Sequence, residues 1–98
     1  MQVQAIENWA ELLGIIREIE HHSHLPEWWT IRLEVQEVRP VANFPNLFAS
    51  DLSSIVSLIV PAKTVQDLGL AAGKRIMCRV RKAGPGVSFA QPESIAFA

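Results

Sequence analysis

Residues 57–86 read SLIVPAKTVQDLGLAAGKRIMCRVRKAGPG, and the punctuation of this stretch decides the fold. Entering it, Ser54 to Val60 is a near-continuous apolar, β-branched run, which suits a strand. Pro61 then stands at a helix start, where its missing N–H is no loss. The helix is short, with Ala62, Val65 and Leu68 as its inner stripe. Gly69 fits the left-handed position just past the end, and Leu70 is placed to fold back on Val65 in a Schellman closure. Ala72-Gly73 turns the chain into the next strand, Lys74 to Arg81. There Ile76, Cys78 and Val80 alternate with Arg75, Met77, Arg79 and Arg81, so one face is apolar and the other basic. Ala83-Gly84-Pro85-Gly86 is a tight turn. Val87 to Ala90, with a resumption at Ser94 to Ala98, supplies the last strand.

Working back toward the N-terminus, Trp28 to Val38 alternates Trp29, Ile31, Leu33 and Val35 against Thr30, Arg32, Glu34 and Gln36. The alternation slips by one residue at Glu37/Val38, the signature of a bulge. Glu11 to Glu20 reads two ways. With period two, Leu13, Ile15 and Ile19 share a face that only Arg17 interrupts. With period 3.6, Ile6, Trp9, Ala10, Leu13 and Ile16 form a helical stripe. The β-branched content, a mid-run Gly14 suited to a bulge and the strand next door favour a strand from about Leu12, after a short helical or irregular lead-in.

The order is therefore strand, strand, strand, helix, strand, strand in one domain covering residues 1–98. A helix between the third and fourth strands of a five-stranded Greek-key barrel is the OB arrangement, an all-β fold. The stretch from Val65 to Lys74, VQDLGLAAGK, continuing into Arg81-Lys82-Ala83, also resembles the second half of molybdate-binding domains of the TOBE and molbindin type. The likeness covers about a third of the chain. In that family a Lys-Ala-Ser-like turn and nearby backbone amides help to hold an oxyanion, usually between subunits. The resemblance thus implies an oxyanion site at Lys82 and the Ala83-Gly84 backbone. Gly84-Pro85-Gly86 stands where the family has its serine, and the first half lacks the family's opening pattern.

Composition narrows the function. A chain with 49% hydrophobic and 19% charged residues is globular rather than disordered. Nine basic against ten acidic side chains give a net charge of −1, which argues against binding nucleic acid through bulk charge and leaves a local basic stripe as the alternative. The one cysteine, Cys78, has no intrachain partner and sits among apolar neighbours of the same parity, so it reads as a buried, inert thiol. The start of the chain lacks the basic lead and apolar core of a signal peptide. No apolar run approaches the ~20 residues of a membrane-spanning helix. A cytoplasmic protein with no membrane association is expected.

No nucleophile elbow, P-loop or dinucleotide fingerprint is present, so neither catalysis nor a cofactor is expected. His21, His22 and His24 lie in the first loop near Glu18, Glu20 and Glu27, but their spacing fits no established metal site, and a solvated loop is the better reading. The basic strand is more informative. OB barrels take single-stranded nucleic acid across strands two and three and the flanking loops. That surface would include Trp28, Thr30, Arg32, Glu34 and the turn from Lys82 to Gly86. Trp28, Arg32, Arg79, Arg81 and Lys82 are accordingly the expected ligand-binding residues, the tryptophan stacking on a base and the cations on phosphates. Glu18, Glu34 and Glu37 are the carboxylates that would instead neutralise such arginines across strands. A second expectation is a protein partner or a homo-oligomer, docked on the 41–53 loop through Phe44, Leu47 and Phe48 unless these fold over the barrel mouth.

Overall fold

The ambiguous stretch before Glu20 is a strand because it has a neighbour on each side. In the computed structural model, which describes residues 7–21 and 24–98, β1 (Ala10–His21) pairs antiparallel with β2 (Trp28–Pro40) along its whole length. Its other edge pairs with β4 (Arg75–Gly84) from Ala10 to Ile15. The strand starts before the expected Leu12, and the described part of the lead-in, 7–9, has no regular structure. After β2 come β3 (Ile55–Pro61) and α1 (Ala62–Leu68); after β4 comes β5 (Val87–Ala90). β5 lies antiparallel to β4 and touches β3 in parallel through one residue pair, Ile59 with Phe89. The order β1-β2-β3-β5-β4 returns to β1, which makes a closed mixed barrel of the OB kind with its helix between the third and fourth strands. The resumed C-terminal strand, β6 (Ala96–Phe97), does not extend β5 but pairs with β4 at Ile76 and Met77.

Two extra residues set the direction of the side chains. Opposite β2, Ile16 faces Leu33 and Glu18 faces Arg32, so Arg17 is left over. One extra residue moves every later side chain to the other face. Leu13, Ile15 and Ile19 therefore do not share a face as expected: Leu12 and Ile16 are fully buried, and only beyond Arg17 does Ile19 pack against the core. The second irregularity falls between Leu13 and Gly14 and leaves Gln36 unpaired on β2, next to the slip read at Glu37/Val38. Gly14 permits it. A Cβ there would collide with the Glu34 carbonyl oxygen and stand 2.8 Å from Leu33 Cγ.

The helix closes as its sequence foretells. Gly69 adopts φ +66°, the Leu70 N–H donates to the Val65 carbonyl at 3.0 Å, and the Gly69 N–H donates to Gln66 at 3.2 Å. Pro61 is the extended last residue of β3 and caps the helix rather than entering it. Leu68 stays 38% exposed instead of joining the core, and Leu70 takes the inner place expected of it. The 41–54 connection is a packed flap. Phe48 is fully buried in the core, held where the Asn46 Oδ1 accepts its backbone N–H at 3.0 Å, and Ala49–Asp51 forms one 3-10 turn behind it. Just before β1, the buried Asn8 side chain donates to the Lys82 carbonyl at 2.9 Å and accepts the Lys82 N–H at 2.8 Å. It adds a rung to the β1–β4 ladder beyond the pair of Ala10 with Val80. No helix among the described residues is long and apolar enough to cross a membrane.

Two substitutions test these joints. Gly14→Ala should destabilise the barrel by about 1–3 kcal/mol, the usual cost of overpacking, seen as a lower urea midpoint with an unchanged slope. Asn8→Ala leaves the Lys82 N–H and C=O without their side-chain partners and should cost about 1–3 kcal/mol in the same assay. Wild-type midpoints for both would refute the account of barrel closure.

Candidate binding groove

Alternation along neighbouring strands lines up a set of outward side chains. Trp28 lies opposite Pro61, Ile59 opposite Phe89, and Phe89 opposite Arg81. Trp9 joins them from the segment leading into β1. Together Trp9, Trp28, Pro61, Arg81, Phe89, Ala90, Gln91 and Pro92 line a groove of about 230 Å³ on the outside of the barrel. Its walls are aromatic and prolyl. Trp28 is 39% exposed, and its ring meets Phe89 edge to face, with centroids 6.3 Å apart and planes at 83°. The Arg81 guanidinium lies 5.1 Å from the Phe89 ring centroid, a cation–π contact that pre-orients it at the groove. Among the described residues Arg81 forms no ion pair.

Most of the other expected cations are already engaged. Arg32 is gripped by Glu18 at 2.9 Å and Glu20 at 2.7 Å. Arg17 pairs with Glu34, and Arg39 with Glu37 at 3.0 and 3.1 Å. Those Arg39 hydrogen bonds hold the Glu37 carboxyl below the usual range, helped by the charge of the same guanidinium and of Arg75. The Arg75 Nε donates to the Gln36 side chain at 3.0 Å, and Arg79 reaches Glu11 at 3.5 Å. Such exposed pairs contribute little stability, but each neutralises the arginine it holds. Carboxylates thus meet the arginines as the alternative foresaw, though Glu34 and Glu37 pair with Arg17 and Arg39 and not with the β4 arginines.

Of the five expected ligand-binding residues, the fold brings Trp28 and Arg81 together. Arg79 lies two residues along β4 beside a neighbouring groove, Arg32 sits among its glutamates, and Thr30 is buried. Lys82 points elsewhere, 4.9 Å from the Phe48 ring centroid and 3.4 Å from Asp51. The Asp51 carboxylate opposes an anion at Lys82, and Pro85 in the following turn has no N–H to offer one. Phe48 cannot serve a partner surface as expected, because its side chain fills the core; Phe44 is half-buried and Leu47 is 40% exposed. His21 stacks on Trp29, with centroids 3.7 Å apart and planes at 9°. No group of three metal-ligating side chains occurs among the described residues, and His22 lies outside them.

Reading the sequence alone misses Trp9, Phe89 and the two prolines. Phe89 joins Trp28 only through the parallel contact of β5 with β3, a pairing between strands far apart in the chain. Apolar alternation in Val87 to Ala90 would turn Val87 and Phe89 inward, yet Ser88 and Ala90 are the buried pair, so neither the side of Phe89 nor its neighbours were legible. Comparison with family models, curated proteins and solved structures finds no match to this chain.

Cys78 lies in the core beneath the neighbouring face of β4, and burial pushes its thiol up to about 12. The folded state therefore holds a proton that the unfolded chain releases once the pH passes its ordinary value near 9. The thiol's contribution to stability is complete below that pH and is lost as the pH rises toward 12, by at most about 1.4 kcal/mol per pH unit. Cys78→Ala should flatten the alkaline loss of stability in urea titrations. An identical pH profile for wild type and variant would contradict the burial of a neutral thiol.

Proposed function

We propose that this chain is a non-enzymatic OB-type binding module that holds single-stranded nucleic acid in the groove of Trp28, Phe89 and Arg81. One observation carries the reading: an exposed indole and a guanidinium free of carboxylates share a groove on the outer barrel wall. A base stacking on Trp28 gains about 1–3 kcal/mol, whatever its identity, because every base has a π-face. Arg81, fixed by Phe89, is positioned to bond a phosphate oxygen or to stack on a second base. Trp9, Pro61 and Pro92 supply the apolar flanks that keep water from the stacked faces. A cytoplasmic location accompanies this reading.

The charge pattern also fixes how the complex should respond to salt. Arg32, Arg79 and Lys82 each stand beside a carboxylate, and among the described residues Arg81 is the one cation that lines the groove itself. Counterion release from one phosphate gives a slope of about −0.7 in log K against log salt, far shallower than a basic protein would show. Stacking, rather than charge, then dominates the affinity.

Tryptophan fluorescence titration with an oligothymidylate about six nucleotides long, inside the ~4–16 nucleotide site sizes of OB folds, is the direct test. Emission should quench on binding, with the shallow salt slope above. Trp28→Ala should weaken the complex roughly five- to a hundredfold, in line with ~1–3 kcal/mol per stacked base. Arg81→Ala should also weaken it and remove most of the salt dependence. No complex at low salt would overturn the reading and turn attention to a protein partner at Phe44 and Leu47.

A further inference from the structure

The groove does not end at Gln91. This residue lines both the aromatic groove and a second, roomier one of about 360 Å³, whose other walls are Glu11, Met77, Arg79, Glu93 and Ser94. The two lie side by side along β4, one at Arg81 and the next at Arg79. Two residues of strand advance about 6.5 Å. Neighbouring nucleotides of a stacked strand are about 3.4 Å apart, so a strand spans this distance when successive bases unstack to enter separate grooves.

The wall of the second groove is firmly held. The Gln91 N–H donates to the Arg79 carbonyl at 2.8 Å, and the Ser94 hydroxyl accepts the Arg79 N–H at 2.8 Å while donating to the Gln91 carbonyl at 2.7 Å. The opposite side carries Glu11, placed 3.5 Å from the Arg79 guanidinium. These bonds fix the backbone from which the Arg79 side chain springs, and its guanidinium donors stand beside acceptors on Glu11, with Glu93 at the same groove. This differs in kind from the first groove, which offers faces and one cation but no carboxylate.

We propose that the second groove is a base-reading subsite and that it selects guanine. The inference rests on the single-strand reading of the first groove, and it adds sequence preference to what is there a sequence-tolerant contact. A carboxylate only accepts hydrogen bonds. Guanine alone among the four DNA bases offers it two adjacent donors on its pairing edge, N1–H and the 2-amino group. Cytosine and adenine set a ring-nitrogen acceptor beside their amino group, and thymine flanks its one N–H with two carbonyls, so each would bring a lone pair against the glutamate. Guanine O6 and N7 also accept two bonds from an arginine, the commonest base contact of that side chain. Arg79 and Glu11 together match two edges of one base. Binding guanine replaces their long 3.5 Å mutual contact with shorter, charge-assisted hydrogen bonds. The side-chain amide of Gln91, between the grooves, faces the strand where it passes from one to the other.

The test compares oligothymidylates carrying one central guanine, adenine or cytosine with the all-thymine strand, in the same fluorescence assay. One guanine should raise affinity roughly tenfold, and adenine or cytosine should raise it little, since a matched bidentate contact discriminates by about that much. Inosine, which lacks the 2-amino group, and 7-deazaguanine, which lacks N7, should each lose part of the gain; these ligand changes leave the protein untouched. The double variant Glu11→Gln plus Glu93→Gln should abolish the guanine preference without weakening the all-thymine complex, which the release of Arg79 from Glu11 strengthens. Equal binding of all four strands would overturn the guanine subsite while leaving the stacking groove in place. Absence of binding to any strand would overturn both.

Discussion

The barrel depends on β1 being paired on both edges over Ala10 to Ile15, because this double pairing brings β4 back against β1 and closes the ring that runs through β2, β3 and β5. A strand shared in this way must bend sharply while keeping two ladders of hydrogen bonds. Gly14 makes the bend possible by letting the β2 backbone come within the space a methyl group would occupy. The neighbouring irregularities, Gln36 on one strand and Arg17 on the other, take up the difference in path between the two partners. Downstream of that corner one further irregularity falls between Lys82 and Gly84 on β4, and Phe48 folds in from the flap to complete the core.

That geometry also decides which charges remain available. The extension of β1 and β2 past the corner carries Arg17, Glu18, Glu20, Arg32 and Glu34 on facing positions, where cross-strand pairs satisfy one another. Beyond Ile15 the outer edge of β1 carries no further strand among the described residues, and charged side chains along it discourage one from adding. On the opposite part of the wall, β5 contributes Val87 and Phe89 instead of acids. Arg81 therefore finds an aromatic neighbour where Arg75 and Arg79 find polar or acidic ones. The functional asymmetry of the surface follows from composition of one short strand, with the net charge of the chain saying nothing about it.

Local chemistry made much of this fold readable from sequence. Pro61, Gly69, Leu70 and Gly73 each demand a particular backbone geometry, and the helix closure they imply is formed as read. The alternation of Ile76, Cys78 and Val80 needed no knowledge of partners, and these side chains are buried as expected. What was illegible is what depends on registers. Whether Leu13 or Leu12 points inward is fixed by where Arg17 is squeezed out of the ladder, a property of the pair of strands and not of either alone. Leu68 looked like a core residue by helical spacing, yet the helix ends before that position turns under. Of the candidate groove, Trp28 and Arg81 were legible as types on known faces. Their proximity was not, because β3 and β5 meet across a long interval of sequence, and the carboxylates that neutralise Arg32 and Arg79 could be guessed only as a class.

The parallel joint of β3 with β5 consists of the one residue pair, Ile59 with Phe89, while the adjoining seams run over many rungs. Phe89 is also the floor on which Trp28 and Arg81 rest. The thinnest stitch in the wall thus runs directly under the cleft, where breathing costs fewer backbone hydrogen bonds than anywhere else around the circumference. Those two strands can part slightly there with the remaining staves of the cylinder left undisturbed.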